Sequence, residues 1–558
     1  MSMQPKPWPE VPAATARVAR AAFREGTLAI RARDQLGAWC QDVDFAAAYG
    51  VRGAPGMSPA QLAMVTVLQF TEKLTDRQAA DAVRGRLDWK YCLGLALDDE
   101  GFDFSVLSEF RSRLVAAGLE RVIFDLLLGR LKELGVLKPG GTQRTDSTHV
   151  LGRIRDLNRL ELAGESIRAA LEALAAAAPG WLATVIDASW QQVYGQRADG
   201  WRLPGSESKR AELAARYGAD GYLLLEAARA GGAPPWLREL PAVEALRQVW
   251  VQQYYRDQDG RVIWREAGLA GQGLPPGRIR IISPYDLDAR YSEKRGKGWS
   301  GYKIHLSETC GQPGDSRGTP NLITNVATTG AAVPDAVMTG PVHDMLAAAG
   351  LSPGQHAADA GYASADLLLD ARARGITLLA PLAANASPQA RAGGYTTEMF
   401  TIDWERQQVT CPQGAISGKW SPTQQGKREA YVVAFPAATC RACPARDKCT
   451  SSARAGRQLF LRPREVHQAT AAARAEQASQ QWKDRYAIRA GVEGTIRQAT
   501  HVTGIRTARY LGLPKTSLEH AAAAAAINLI RLDAWWTSKP AGRTRTTHLQ
   551  RLKLTTAA

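Results

Sequence analysis

Between Ser58 and Leu134 apolar positions recur at three- and four-residue steps, the spacing of short amphipathic helices. Ser58 followed by Pro59 reads as an N-cap and a first-turn proline, opening a helix that carries Leu62, Val65 and Phe70. Thr75 caps a second helix through Leu87, Ser105 opens a third and Leu119 a fourth. Lys138-Pro139-Gly140-Gly141 breaks the pattern, and Thr142 to Val150 reads as a strand. Alanine-rich helix returns over residues 155–250, at Ser166–Ala178, Glu207–Tyr217 and Tyr222–Arg229.

Strict alternation along Tyr302-Lys-Ile-His-Leu-Ser-Glu308 predicts a second β region, with a hairpin loop at Gly311–Pro320 and a return strand at Leu322–Ala327. A helix at Pro334–Ala349, a short apolar strand at Gln355–Asp359, a helix at Ser364–Arg374 and a strand at Ile376–Ala380 complete a mixed α/β core. Phe400, Ile402 and Trp404 alternate, as do residues around Tyr431 and Phe435, so 395–465 reads as a β-rich insert. The helical period resumes from Ala471 to Gln498. Thr516-Ser-Leu-Glu519 has the form of a capping box opening a last helix to about Leu532.

Composition adds two constraints. The 558 residues, 45% hydrophobic and 22% charged, describe a globular chain of several domains and exclude wholesale disorder or a disulfide-stapled miniprotein. The 70 Lys and Arg against 54 Asp and Glu leave +16, which points to a polyanionic partner. The stretch Thr537 to Ala558 carries Lys539, Arg543, Arg545, Arg551 and Lys553 with no acid, as a phosphate-tracking arm would. Arg77, Arg84, Arg86, Lys90, Arg111 and Arg113, set among short helices, fit a helix-turn-helix-like DNA reader. A plain helical bundle with solvated arginines fits them as well. Met1–Pro12 lacks the apolar run of a signal peptide, and no stretch of about 18 apolar residues occurs. A soluble cytoplasmic protein with no membrane partner is expected, nucleoid-associated when bound to DNA.

Three positions invite chemistry. Asp146, in Arg144-Thr-Asp-Ser-Thr-His149, is an acid within a strand, where propensity disfavours it. Asp359, in Ala358-Asp-Ala-Gly-Tyr362, stands at the carboxyl end of a short apolar strand, where α/β sheets bind ligands. Tyr486, Arg489 and Glu493 follow at steps of three and four, which places them on one helical face. Each alone has a plain reading as a turn, a cap or an ion-paired helix surface. Together, two strand-end aspartates and a helical glutamate form a plausible cage for two magnesium ions, which take carboxylates plus substrate phosphate. Cys411, Cys440, Cys443 and Cys449 cluster in the insert. One C-x2-C pair with two further cysteines fits structural zinc or reduced thiols, while Cys40, Cys92 and Cys310 read as packed thiols.

The motifs in order closely resemble bacterial insertion-sequence transposases of the DDE type, which have a ribonuclease-H-like core, in the branch with a Tyr-x2-Arg-x3-Glu signature. The resemblance runs through Leu74–Ala80, Asp88–Tyr91, Phe104–Arg113, Gln143–Thr148, Asp286–Arg290, Trp299–His305, Asp359–Tyr362, Gly504–Arg506, Arg509-Tyr510 and Asn528–Arg531. It implies that Asp146, Asp359 and Glu493 bind two Mg2+ ions, with Mn2+ a possible substitute, and that Tyr486 and Arg489 contact DNA phosphate. Where the related signature continues to a lysine, this chain has Thr500; Arg497, His501 or Arg506 stand nearest to replace it. Lys303, with Lys294, Arg295 and Lys297 and interleaved aromatic residues, fits a DNA path.

The expected architecture is therefore an α/β ribonuclease-H-like core over 137–394 and 466–536. A helical insertion at about 155–280 and the Cys-containing β-rich insertion 395–465 interrupt it. An N-terminal helical DNA-binding domain over 1–136 precedes it and the basic tail 537–558 follows. The expected activity is metal-dependent cleavage and strand transfer at terminal inverted repeats, by a chain that dimerises on DNA. A nuclease of the same fold without strand transfer, or an inactive DNA-binding derivative, would carry the same acids.

Overall fold

The computed structural model describes residues 2–198, 203–266, 268, 273–311, 318–426, 428–452 and 454–538. The basic tail beyond Ser538 and most of the expected loop Gly311–Pro320 lie outside the described residues.

Helix formation near the amino terminus follows the caps. Ser58 accepts from the Gln61 N–H at the start of the helix Pro59–Thr71. Thr75 and Gln78 close a reciprocal capping box on the helix Asp76–Gly85. That helix stops before Leu87, which opens a separate helix to Leu93, and the fourth helix begins at Val122, not Leu119. Apart from Gln61, every residue from Pro59 to Phe70 is buried. They pack against the last helix, Leu513–Trp536, whose buried run Ala521–Ala526 presents only methyl groups and so permits close approach. One continuous apolar core joins these helices to the central sheet.

Burial also changes the meaning of the basic residues in this region. Lys90 is buried and donates to the carbonyls of Asp99 (2.6 Å) and Ala96 (3.3 Å). Arg111 is buried in an ion pair with Asp76 and lies over the Tyr510 ring. These two cations satisfy interior oxygens and a ring and are not presented to solvent. Arg77 and Arg84 remain exposed.

The central sheet starts with β1 (Thr142–Leu151). A helical insertion follows, with its own apolar core and a small hairpin of β2 (Tyr254–Arg256) and β3 (Val262–Trp264). Within it Glu207–Ala227 is one unbroken helix and Arg159–Ala177 begins seven residues before the expected Ser166. The chain returns through β4 (Arg290–Lys294), β5 (Lys297–Thr309), β6 (Ile323–Gly330), β7 (Gln355–Ala358) and β8 (Thr377–Leu379). β5 runs antiparallel to β1, β4 and β6, while β7 runs parallel to β1 and β8 parallel to β7. The order is β6-β5-β1-β7-β8, with β4 also on β5. The second insert holds the hairpin β9 (Thr401–Asp403) and β10 (Gln408–Thr410). A three-stranded sheet of β11 (Ser421–Gln425), β12 (Arg428–Ala434) and β13 (Gln458–Leu461) stands beside it. Among the described residues, no helix is long and apolar enough to cross a membrane.

The last helix does not use the expected capping box. It starts at Leu513 with Pro514 in its first turn, so Glu519 falls in the second turn and points inward, accepting from the Arg509 N–H at 2.8 Å. Burial pushes its carboxyl up to about 7 from the usual 4.5. As pH rises, the unfolded chain ionises first while the folded chain keeps this proton. Stability is therefore lost between those two values. Relative to the wild type, Glu519→Gln is expected to gain about 3 kcal/mol at pH 8 and under about 1 kcal/mol at pH 5. Denaturation midpoints at the two pH values measure this, and equal shifts at both would contradict it.

Candidate functional site

Register brings the two aspartates level. Asp146 sits opposite Leu306 in the middle of β1. On the other edge Thr145 pairs with Ala358, the last residue of β7, so the next residue, Asp359, lies beside Asp146. Asp359 Oδ1 caps the turn that follows by accepting from the Gly361 N–H at 2.8 Å.

Glu493 arrives from the far end of the chain, but not on one continuous helix. The helix Arg464–Ala478 ends, and Ser479 caps a new one, Gln480–Tyr486, by accepting from the Trp482 N–H. Residues Ala487–Ala490 tighten into a 3-10 turn, and Gly491–Val502 carries Glu493 in its first turn. Tyr486, Arg489 and Glu493 thus belong to three consecutive elements. Even so, Arg489 joins all three acids. Its guanidinium lies 2.6 Å from Asp146 Oδ2, 3.0 Å from Glu493 Oε1 and 4.0 Å from Asp359 Oδ2. Its Nε is buried without a partner.

Asp146 is 8% exposed. Burial lifts its carboxyl to about 6, against the pull of Arg489 and the Ser147 N–H, with Asp359 adding to the rise. Tyr486 stacks on Trp482, with centroids 4.8 Å apart, and burial raises its phenol. The ring therefore stays a neutral hydrogen-bond donor at neutral pH.

Oxygen donors from three separate segments meeting at one positive charge suit a hard divalent cation. Among the described residues, no three His, Cys, Asp or Glu side chains are gathered about one point closely enough to hold a metal as they stand. The three acids are linked through Arg489 instead.

A pocket of about 180 Å³ opens at Ser147, the residue after Asp146, lined among others by His149, Lys294, Trp299, Lys303 and Asp335. Lys303 pairs with Asp335 at 2.9 Å. Asp335 also accepts from the Ser147 hydroxyl at 3.1 Å, a carboxylate next to the site that sequence reasoning passed over as a helix start. Trp299 packs on His149, and Arg506 reaches the same imidazole at 2.9 Å. Arg497 is exposed on the Glu493 helix, and the Thr500 hydroxyl turns back to the Ile496 carbonyl. Tyr302 is buried against Asp286, so it cannot stack on a base. Lys294, Arg295 and Lys297 remain exposed around the β4–β5 turn. In the second insert, Cys411, Cys440, Cys443 and Cys449 all line one cavity of about 190 Å³.

Sequence reasoning also missed Glu308. It is fully buried and accepts from Arg144 (2.7 Å), Thr495 (2.6 Å) and Arg531 (2.7 Å). Arg144 further donates to the Ile488 carbonyl at 2.7 Å, one residue before Arg489. The available signal was its place on the apolar face shared by Tyr302, Ile304 and Leu306.

Residues 410–533 match a family model described as Transposase DDE domain, and residues 31–113 match one described as Transposase domain (DUF772). The first span includes Tyr486, Arg489, Glu493 and the four clustered cysteines. No curated protein and no solved structure matches the chain. The two family matches indicate an insertion-sequence DDE transposase.

Two glycines in the Glu493 helix separate docking from helix propensity. A β-carbon at Gly491 would run into the Arg144 guanidinium, whereas nothing lies within 4 Å of one at Gly494. Gly494→Ala is expected to stabilise by about 0.5–1 kcal/mol. Gly491→Ala is expected to destabilise by about 1–3 kcal/mol, because Arg144 must leave Glu308 or the Ile488 carbonyl. Urea unfolding of both variants tests this, and equal gains would show that Arg144 does not hold the helix.

Proposed function

We propose that the chain is the DNA transposase of an insertion sequence, binding terminal inverted repeats and carrying out metal-dependent cleavage and strand transfer. The observation that carries this reading is the convergence of Asp146, Asp359 and Glu493, from three distant segments, on the Arg489 guanidinium. The sheet supports it. The order β6-β5-β1-β7-β8, with only β5 reversed along that path, agrees with a ribonuclease-H-like core.

In this reading Asp146, Asp359 and Glu493 hold two Mg2+ ions, for which Mn2+ substitutes. Bound there, the metal supplies Lewis-acid stabilisation to the displacement at phosphorus. Arg489, now paired with the acids, exchanges carboxylate for a DNA phosphate, which its planar fork fits equally well. Tyr486 donates its phenol proton to a neighbouring phosphate oxygen. Lys294, Arg295, Lys297 and Arg497 track the backbone, and Arg506 and Lys303 line the approach to Asp146. Pairing two ends calls for two copies of the chain on DNA.

The test is cutting of a labelled duplex carrying the element's own ends, with magnesium, by the wild type and by Asp146→Asn, Asp359→Asn and Glu493→Gln. Wild-type cleavage and joining are expected, with a loss on the order of 10³-fold or more in each variant while end binding persists. Cutting without joining would favour a nuclease. Binding without cutting, even with manganese, would favour an inactive DNA-binding derivative. Undiminished cutting by the variants would refute the site.

A further inference from the structure

We propose that Cys411, Cys440, Cys443 and Cys449 bind one zinc ion as four thiolates, in a closed site that clips the β-rich insert together. The proposal rests on the insert alone and stands whether or not the carboxylate site cuts DNA.

A strand end, a short helix and the turns after it deliver the four sulfurs to one cavity. Cys411 immediately follows β10. Cys440 lies on the short helix Ala437–Arg441, with Cys443 in the turn after it, and Cys449 follows in the next turn. The other three cysteines of the chain are buried elsewhere and do not line this cavity. A reduced thiol packed for its bulk has no reason to be one of four around a single space. Four-thiolate coordination requires that placement.

The backbone around two of the sulfurs is already arranged for anions. In Cys411-Pro-Gln-Gly-Ala415, Gly414 takes a φ of +83°, and the turn brings the Ala415 N–H to 3.3 Å from Cys411 Sγ. The Cys411 N–H returns to the Ala415 carbonyl at 2.8 Å, which locks the turn. On the other side the Arg457 N–H points at Cys440 Sγ from 3.4 Å. Donors aimed at sulfur stabilise the thiolate, the form that ligates metal.

Charge agrees. Four thiolates around a divalent ion leave two negative charges, and the cavity lining contains Arg446 and Arg457 but no acid. Arg457 reaches the Cys449 carbonyl at 2.8 Å, and its Nε is buried without a hydrogen-bond partner. The insert also needs a clip. Its core consists of Phe400, Val409, Trp420, Val433, Phe435, Leu459 and Leu461, and so small a core gains most from a metal staple. The sulfurs ring the cavity without meeting at one point, so the side chains close on the ion as it binds, coupling binding to ordering.

The experiment measures metal content of the reduced full-length chain by mass spectrometry after gel filtration. It is repeated for Cys440→Ser/Cys443→Ser and for Cys310→Ser. About one zinc per chain is expected in the wild type and Cys310→Ser, falling below about a tenth in the double variant. A second measurement guards against misfolding of that variant. Cobalt(II) added to wild-type chain stripped of metal should give thiolate-to-cobalt charge transfer and the visible bands of a tetrahedral site. Zinc and cobalt signals both absent from folded, reduced wild type would overturn the proposal. So would iron in place of zinc, or zinc undiminished in the double variant.

Discussion

The arrangement of the carboxylate site depends on one buried charge. Glu308, at the end of an apolar face, has no access to water and is held by two arginines and a threonine from three other elements. A buried carboxylate stripped of such partners costs several kcal/mol, so the elements that supply them cannot drift apart independently. Arg144 ties in β1, Thr495 the helix carrying Glu493, and Arg531 the last helix. Arg531 also grips Gln498 and the Asn321 carbonyl. Arg144 faces the same side of β1 as Asp146, two residues away. Its second hydrogen bond fixes the carbonyl preceding Arg489. The ion pair that makes the core coherent is therefore also the one that aims Asp146 and Arg489 at each other.

This placement explains how the site tolerates two large interruptions. The helical insertion leaves after β1 and returns before β4, and it buries its own apolar residues around Trp250 and Tyr254 instead of borrowing from the sheet. The β-rich insert does the same with Phe400, Trp420 and Phe435. The acids lie on core segments on either side of these excursions. Their geometry is set by β1–β5 and β1–β7 pairing and by the Glu308 junction, none of which crosses an insertion core.

The readable residues were those whose chemistry conflicts with their local pattern. Asp146 is an acid within a strand, Asp359 ends an apolar run, and Glu493 stands four residues from Arg489; the structure places all three around that arginine. Strands β1, β5, β6, β7 and β8 were legible as alternating or short apolar runs, and Ser58 and Thr75 marked two helix starts. Strands β2, β3 and β4 and caps such as Asn158 and Ser206 were not read. Residues whose meaning is set by distant partners were harder to read. Asp335, in the first turn of its helix, has the place of an ordinary helix-start acid, and its contacts with Ser147 of β1 and Lys303 of β5 arise only where that helix start meets the paired strands. The single helix expected over 471–498 is divided because Ser479 offers a better cap than a continued turn, and periodicity carries no record of that competition. Glu519 had the spacing of a capping box, but a proline-led start three residues earlier took the helix end away from it.

Net charge shows the same limit from the other direction. A surplus of 16 positive charges points to a polyanion, but it does not say which cations face outward. Arg111, Arg144, Arg489 and Arg531 are largely withdrawn from solvent, each pairing with a buried or half-buried carboxylate, and Lys90 is used on carbonyls. Guanidinium suits this use because it stays charged when desolvated and can satisfy several oxygens at once. Those arginines act as crosslinks of the fold. Among the cations that do face outward are Lys294, Arg295 and Lys297 around the β4–β5 turn and Arg497 on the Glu493 helix. Arg489 is the crosslink that draws the most acids together: its guanidinium reaches Asp146, Asp359 and Glu493 at once, while its Nε is buried without a hydrogen-bond partner.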